Sequence, residues 1–230
     1  MGGEMSTLGN FVLAVLAEIV AAAIVFFTAT WRSKAVRRAL TAVASAFLNV
    51  DIQYVFPSGI DAERTLKEAL NRAQGVKIFS GRGSSFQRDL FASLLGKNDG
   101  KRPHVQVLLP DPSPTPQGSS WVEHREREVA AFDRSFGHGT LPRQIENVLL
   151  FLQPHIEPGR FEVRKYDTPH ICRFILTDEY LFLTPYSKLM HGRHSRVYQI
   201  GRGDLYDMFA RFFDMVWEAS KNHALEPAPK

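Results

Sequence analysis

The chain has 230 residues, with 28 Lys and Arg set against 24 Asp and Glu for a formal net charge of +4. One cysteine, Cys172, excludes a disulfide framework and suits a reducing compartment. Much of the small positive excess sits in a short stretch after the first apolar run, which argues against a broad nucleic-acid surface and for charge placed beside a membrane.

That run is Phe11 to Thr30, FVLAVLAEIVAAAIVFFTAT. At about 1.5 Å per helical residue it reaches roughly 30 Å, the thickness of a bilayer's hydrocarbon core. Eleven of its residues are Leu, Ile, Val or Phe. Together they contribute about −3 to −7 kcal/mol of insertion, against about +3 kcal/mol for the lone carboxylate Glu18. Trp31 stands at the far edge as an interfacial anchor, and Arg32, Lys34, Arg37 and Arg38 follow with no acidic residue among them. Three other readings fit less well. A signal peptide carries positive charge ahead of its apolar run, and MGGEMSTLGN has none. A buried core helix fits less well a run that is apolar on all faces and lies at the chain end, and an interfacial helix spreads its charges along one face. The expectation is a short outside tail over 1–10, a transmembrane helix over 11–31 in contact with the lipid bilayer, and a C-terminal domain on the cytoplasmic side of the cell's plasma (inner) membrane.

After Trp31, RSKAVRRALTAVASAFLNV keeps apolar residues at helical spacing, which predicts a juxtamembrane amphipathic helix over 32–50. Ala35, Leu40, Val43 and Phe47 offer a seam for self-association or for packing on the chain's own domain. DIQYVF reads as a strand ended by the Pro57-Ser58-Gly59 turn, and Asp61 as the N-cap of the helix ERTLKEALNRAQ, stopped by Gly75. VKIFS reads as a buried strand, GRGSS as a tight turn and FQRDLFASLLGK as an amphipathic helix. HVQVLLP is a second apolar strand, and a Pro-rich loop follows it. One or two helices come next, over Trp121–Phe136 and Leu141–Gln153, with a break at Gly137-His138-Gly139. RFEVRKYD, ICRFILTD, EYLFLTPY and SRVYQI are β-rich, and an amphipathic helix runs from Asp204 to Ser220. This order predicts an α/β domain over 51–222 with a mixed β-sheet flanked by helices, and a disordered tail over 223–230.

Three stretches, VKIFSGRGSSFQRDL, VQVLLPDP and ICRFILTDEYLFLTPYSK, together with the closing FARFFDMVWEAS, resemble one half of a phospholipase D-like domain. The family motif is His-x-Lys-x-x-x-x-Asp, present twice per active site, from two repeats or from a homodimer. One histidine attacks phosphorus to give a phosphohistidine, the other protonates the leaving oxygen, and the lysines neutralise phosphate charge. Counting back from Asp178, the lysine position holds Arg173 and the histidine position holds Ile171, while His170 stands one residue too early. Side chains alternate along a strand, so Ile171 and Arg173 share a face and His170 and Cys172 point to the other. A bulge after Thr168-Pro169 would re-aim His170 into the pocket; without one His170 is a structural or surface histidine. The resemblance therefore offers His170 and Asp178 as catalytic candidates and Arg173 as the phosphate clamp.

Other candidates come from the residues themselves. Gly81-Arg82-Gly83-Ser84-Ser85 joins a strand to a helix N-terminus, where free N–H groups favour an anion, so Gly83, Ser84 and Ser85 are phosphate-binding candidates or simply a glycine turn with a serine cap. Ser187, Lys188, His191, Arg193 and His194 form a basic run that is either part of the same site or a solvated loop. Glu123, His124, Glu126 and Glu128 read as a solvated helix face. The histidines lack metal-ligand spacing, so neither a metal nor another cofactor is expected. A serine hydrolase has no support in the absence of Gly-x-Ser-x-Gly.

Ile171 in place of the attacking histidine favours a membrane-anchored, non-catalytic domain that binds a phosphate-bearing ligand, whether nucleotide, nucleic acid or lipid headgroup, for sensing or signalling, and that self-associates as a homodimer. The alternative is a homodimeric, membrane-tethered phosphodiesterase using His170. A second alternative is a ligand-gated membrane effector in which clustering of Glu18-bearing helices follows ligand binding.

Overall fold

The computed structural model describes residues 43, 51–87, 91–95, 103–113, 120–169, 171–186 and 192–228. The chain separates into two compact units, Met1–Val50 and Asp51–Lys230, and the second is the one built up below. Among the described residues no helix is long and apolar enough to cross a membrane. The expected spans over 11–31 and 32–50 lie outside those residues, Val43 apart.

Seven strands form one mixed sheet: β1 (Ile52–Phe56), β2 (Gly75–Phe79), β3 (His104–Pro110), β4 (Phe161–Tyr166), β5 (Cys172–Leu176), β6 (Leu181–Pro185) and β7 (Val197–Ile200). Their order across the sheet is β1-β7-β6-β5-β2-β3-β4. The strands β2, β3 and β4 run parallel, while β5, β6, β7 and β1 add antiparallel neighbours. The helices are α1 (Gly59–Arg72), the single turn α2 (Ala92–Leu95), α3 (Trp121–Ala130), α4 (Thr140–Leu152) and α5 (Asp204–Ala219). An α/β domain with a mixed, helix-flanked sheet is therefore what the sequence pattern led us to expect.

Strand alternation divides the core in two. Val76, Ile78, Val105, Val107, Leu109, Phe161, Val163 and Ile175 pack with α1, α3 and α4 on one face. Phe79, Leu108, Tyr166, Phe174 and Leu176 pack with Tyr206, Phe213 and Trp217 of α5 on the other. Burying the central strands on both faces explains their near-continuous apolar runs. Phe79 stacks between Tyr166 and Phe174 at 4.5 and 5.0 Å, which ties α5's face of the sheet together.

Several local expectations change. Ser58, not Asp61, caps α1: its Oγ accepts from the Asp61 N–H and donates to the Asp61 carboxylate at 2.8 Å. The pair forms a reciprocal cap, and the cap falls three residues earlier because Gly59 and Ile60 extend the helix. Gly75 opens β2 rather than ending the helix. Of the expected amphipathic helix over 86–97, Phe86 and Gln87 end a 3-10 turn at Ser84–Gln87 and Ala92–Leu95 form α2, while 88–90 and 96–97 lie outside the described residues. The expected free tail begins docked: the Leu225 N–H donates to Val163 O at 2.9 Å, and Ala224 bridges Arg164. That contact covers the outer edge of β4, which otherwise presents unpaired backbone groups.

Candidate functional site

The site grows from the turn after β2. Buried Ser80 is held from three sides: its N–H donates to Leu108 O at 3.1 Å, its carbonyl accepts from the Tyr166 hydroxyl at 3.3 Å, and its Oγ accepts from the Gly83 N–H at 3.1 Å. The Gly81 N–H donates to the Tyr186 hydroxyl at 3.0 Å. Gly83 has a left-handed φ of 73°, and a Cβ there would lie 2.8 Å from Leu109 and 2.9 Å from Val148. Glycine is thus required by the core beneath the turn as well as by the backbone. Because Ser84–Gln87 is a single 3-10 turn, it brings little helix dipole to an anion. Its value to the site is shape and rigidity.

Around that shelf lies a cavity of about 100 Å³ lined by four arginines, Arg82, Arg125, Arg173 and Arg193, together with Tyr186, Ser84 and Ser85. Each arginine comes from a different element. Arg173 projects from β5 on the same face as Ile175, and its Nε donates to Thr184 Oγ1 on β6 at 3.3 Å. Arg82 stands on the turn, bonded to Ser84 Oγ at 3.2 Å and to Gln144 of α4 at 3.1 Å. Arg125 extends from α3 with its guanidinium 4.9 Å from the centre of the Tyr186 ring, and donates to Glu128 at 2.7 Å. Arg193 precedes β7, and its carbonyl accepts from the Gly59 N–H at 3.0 Å. The close passage explains Gly59: a Cβ there would be 3.0 Å from the Arg193 carbonyl and 3.1 Å from Arg173 Nη2.

Among the described lining residues there is no carboxylate. Several guanidinium groups around one low-dielectric cleft raise a positive potential that an anion relieves. Burial pushes the Tyr186 phenol above its ordinary pKa, and Arg173 and Arg125 pull against that shift. The phenol therefore stays neutral at physiological pH and accepts from the Gly81 N–H at the edge of the cavity.

The structure brings together Arg173, Gly83, Ser84, Ser85 and Arg193 from the residues that the sequence singled out. His194 lies on an exposed turn and does not line the cavity. Asp178 sits beyond the far end of β5, where its carboxylate accepts from the Gln74 N–H at 2.6 Å and the Gly75 N–H at 3.2 Å. It is separated from Arg173 by the length of the strand, so its observed work is to fix the start of β2, not to join the arginine cavity. His170, Ser187, Lys188 and His191 lie outside the described residues. Ile171 and Arg173 share the α3-facing side, as alternation requires. Ile171 is 78% exposed and lines a groove with Trp121 and Arg125.

No family model and no curated protein matches this chain. Among solved structures it is similar to TrmBL2, an archaeal chromatin protein whose structure shows a novel mode of DNA binding. The likeness has 14% identity and a TM-score of 0.44, over 94% of this chain and 67% of that one. At that score the likeness carries no argument about fold or function.

Two of the four arginines, Arg82 and Arg125, were not singled out by the sequence. Arg125 lies in a stretch of alternating charge, WVEHREREVA, where nothing local separates a site residue from a solvated one. The same stretch holds a second correction. Glu126, expected on a solvated face, is 6% exposed, and its carboxylate accepts from the Gly139 N–H at 2.9 Å and the Leu141 N–H at 2.7 Å. It caps α4, whose own N-cap is Gly139 and has no side chain to do so. By fixing the α3–α4 elbow, Glu126 holds Arg125 on one side of the cavity and Leu141 on the other. Among the described residues no three His, Cys, Asp or Glu side chains cluster as metal ligands. Cys172 faces α5, and burial pushes its thiol up to about 11, which removes it from nucleophilic chemistry at neutral pH.

Proposed function

We propose that residues 51–222 form a degenerate phospholipase D-like half that binds a phosphate-bearing ligand without hydrolysing it. In this reading the domain is held at the cytoplasmic face of the membrane by the apolar helix at 11–31 and pairs with a second copy. The observation that carries the binding is the convergence of Arg82, Arg125, Arg173 and Arg193 on one cavity without a described carboxylate. Guanidinium groups bind phosphate through planar, charge-assisted pairs of hydrogen bonds, and arginine stays charged at any pH the protein meets. Support for a non-catalytic role comes from Ile171. The position of the motif histidine is held by a side chain that can neither attack phosphorus nor carry a proton.

The test uses the full chain in detergent with inorganic phosphate and pyrophosphate, read by thermal unfolding. Ligand at tenfold over its dissociation constant adds about 1.4 kcal/mol, or about 3–6 °C for a domain of this size. Arg173→Ala removes one charged contact and is expected to weaken binding about 10- to 100-fold. Stabilisation that persists in the variant places the anion elsewhere. Metal-independent hydrolysis of bis-nitrophenyl phosphate that is lost in His170→Ala establishes the phosphodiesterase in place of the receptor.

A further inference from the structure

Beside the arginine cavity lies a groove of about 210 Å³ with a different chemistry. It is lined by Trp121, His124, Glu128 and Ile171, and it shares Arg125 and Tyr186 with the cavity. Trp121 is 41% exposed and Ile171 is 78% exposed, so two large apolar side chains flank the groove uncovered. The Glu128 carboxylate accepts from Arg125 at 2.7 Å and lies 3.5 Å from His124 Nε2. The two hollows therefore sort charge. An anion is drawn to the arginine side, whose described lining holds four guanidinium groups and no carboxylate, Glu128 pairing with Arg125 only at its border, and is repelled from the Glu128 side. The groove suits an uncharged, flat group with hydrogen-bonding edges. Trp121 offers a ring face, Ile171 an apolar wall, and Glu128 and His124 offer an acceptor and a donor or acceptor to the edge. An acyl chain laid there would strip water from the charged Arg125–Glu128 pair and from His124 and offer them no hydrogen bond in return, which costs free energy.

Resting on the phosphate reading above, we infer that the ligand is a nucleoside phosphate, with its phosphate among the four arginines and its base in the groove against Trp121 and Ile171. Arg125 and Tyr186 stand at the junction, where the sugar links the two parts. The replacement that takes a histidine from position 171 of the motif thus supplies one apolar wall of a base-binding groove.

Calorimetry on the full chain in detergent tests this with inorganic phosphate, ribose 5-phosphate, adenosine and uridine 5′-monophosphates, and a short-chain phosphatidic acid. A stacked base strengthens binding by about 5- to 150-fold, so the nucleotides are expected to bind at least about fivefold more tightly than ribose 5-phosphate. Trp121→Ala is expected to abolish that preference and leave ribose 5-phosphate affinity within about twofold, while Trp121→Phe keeps most of it. The surface position of Trp121 makes misfolding a poor explanation, and an unchanged unfolding midpoint checks this. Equal affinity for nucleotides and ribose 5-phosphate overturns the inference and leaves phosphate binding standing. So does a Trp121-dependent preference for phosphatidic acid, which assigns the groove to lipid. Loss of self-association in Trp121→Ala with nucleotide affinity unchanged assigns the surface to a second copy of the chain. If none of the phosphate compounds binds, the proposed function falls and this inference falls with it.

Discussion

Glu126 offers the sharpest test of how the site is held. Every early amide of α4 can be accounted for: the Thr140 N–H donates to Gly137 O, the Leu141 N–H to Glu126, Pro142 has none, and the Arg143 N–H donates to Gly139 O. Gly139 itself donates to the second Glu126 oxygen. Glu126→Ala leaves two amides at a buried elbow without acceptors. Hydrogen bonds to a charged group contribute about 1.5–3 kcal/mol each, so the expected loss is about 3–5 kcal/mol. Glu126→Gln keeps one acceptor but turns an NH2 toward the other amide, and about 2 kcal/mol is expected. Urea unfolding of the full chain in detergent reads both. With a slope of about 2 kcal/mol per molar, the alanine variant's midpoint falls by about 2 M. Because Arg125 neighbours Glu126 and Leu141 lines the cavity, phosphate affinity is expected to fall as well. An alanine variant within about 0.5 kcal/mol of the parent would refute the capping role.

Three further predictions separate structure from site. Gly83→Ala forces a left-handed φ on a residue with a Cβ and pushes that atom into Leu109 and Val148. It should destabilise by about 2–4 kcal/mol in the same urea assay, and a neutral result would mean that the turn yields freely. Cys172, with its pKa moved from 9.0 to about 11, should react with iodoacetamide near pH 8 about 100-fold more slowly folded than in urea, and equal rates would contradict its burial. Asp178→Asn weakens the bonds to Gln74 and Gly75 at an exposed position, so about 1 kcal/mol of stability should be lost with phosphate affinity unchanged. A large loss of binding in that variant would return Asp178 to the site.

The sequence by itself determined the order of elements, the mixed sheet and the face that Arg173 shares with Ile171. These rest on period-2 and period-3.6 patterns, which are written in neighbouring residues because each strand or helix must present an apolar face to the core. Helix ends are less legible, since Ser58 and Asp61 are both competent caps and only the path of the chain into α1 selects between them. What the tertiary structure alone decided is the site. Gly81 meets Tyr186 across 105 positions, and Arg82 meets Gln144 across 62. Glu126 and Arg125 are neighbours in a charged stretch, yet one is buried as a cap and the other borders an anion cavity. Local charge pattern records that such residues are polar. Whether a polar side chain faces water, a helix terminus or three other arginines is set by which distant segments the sheet brings beside it.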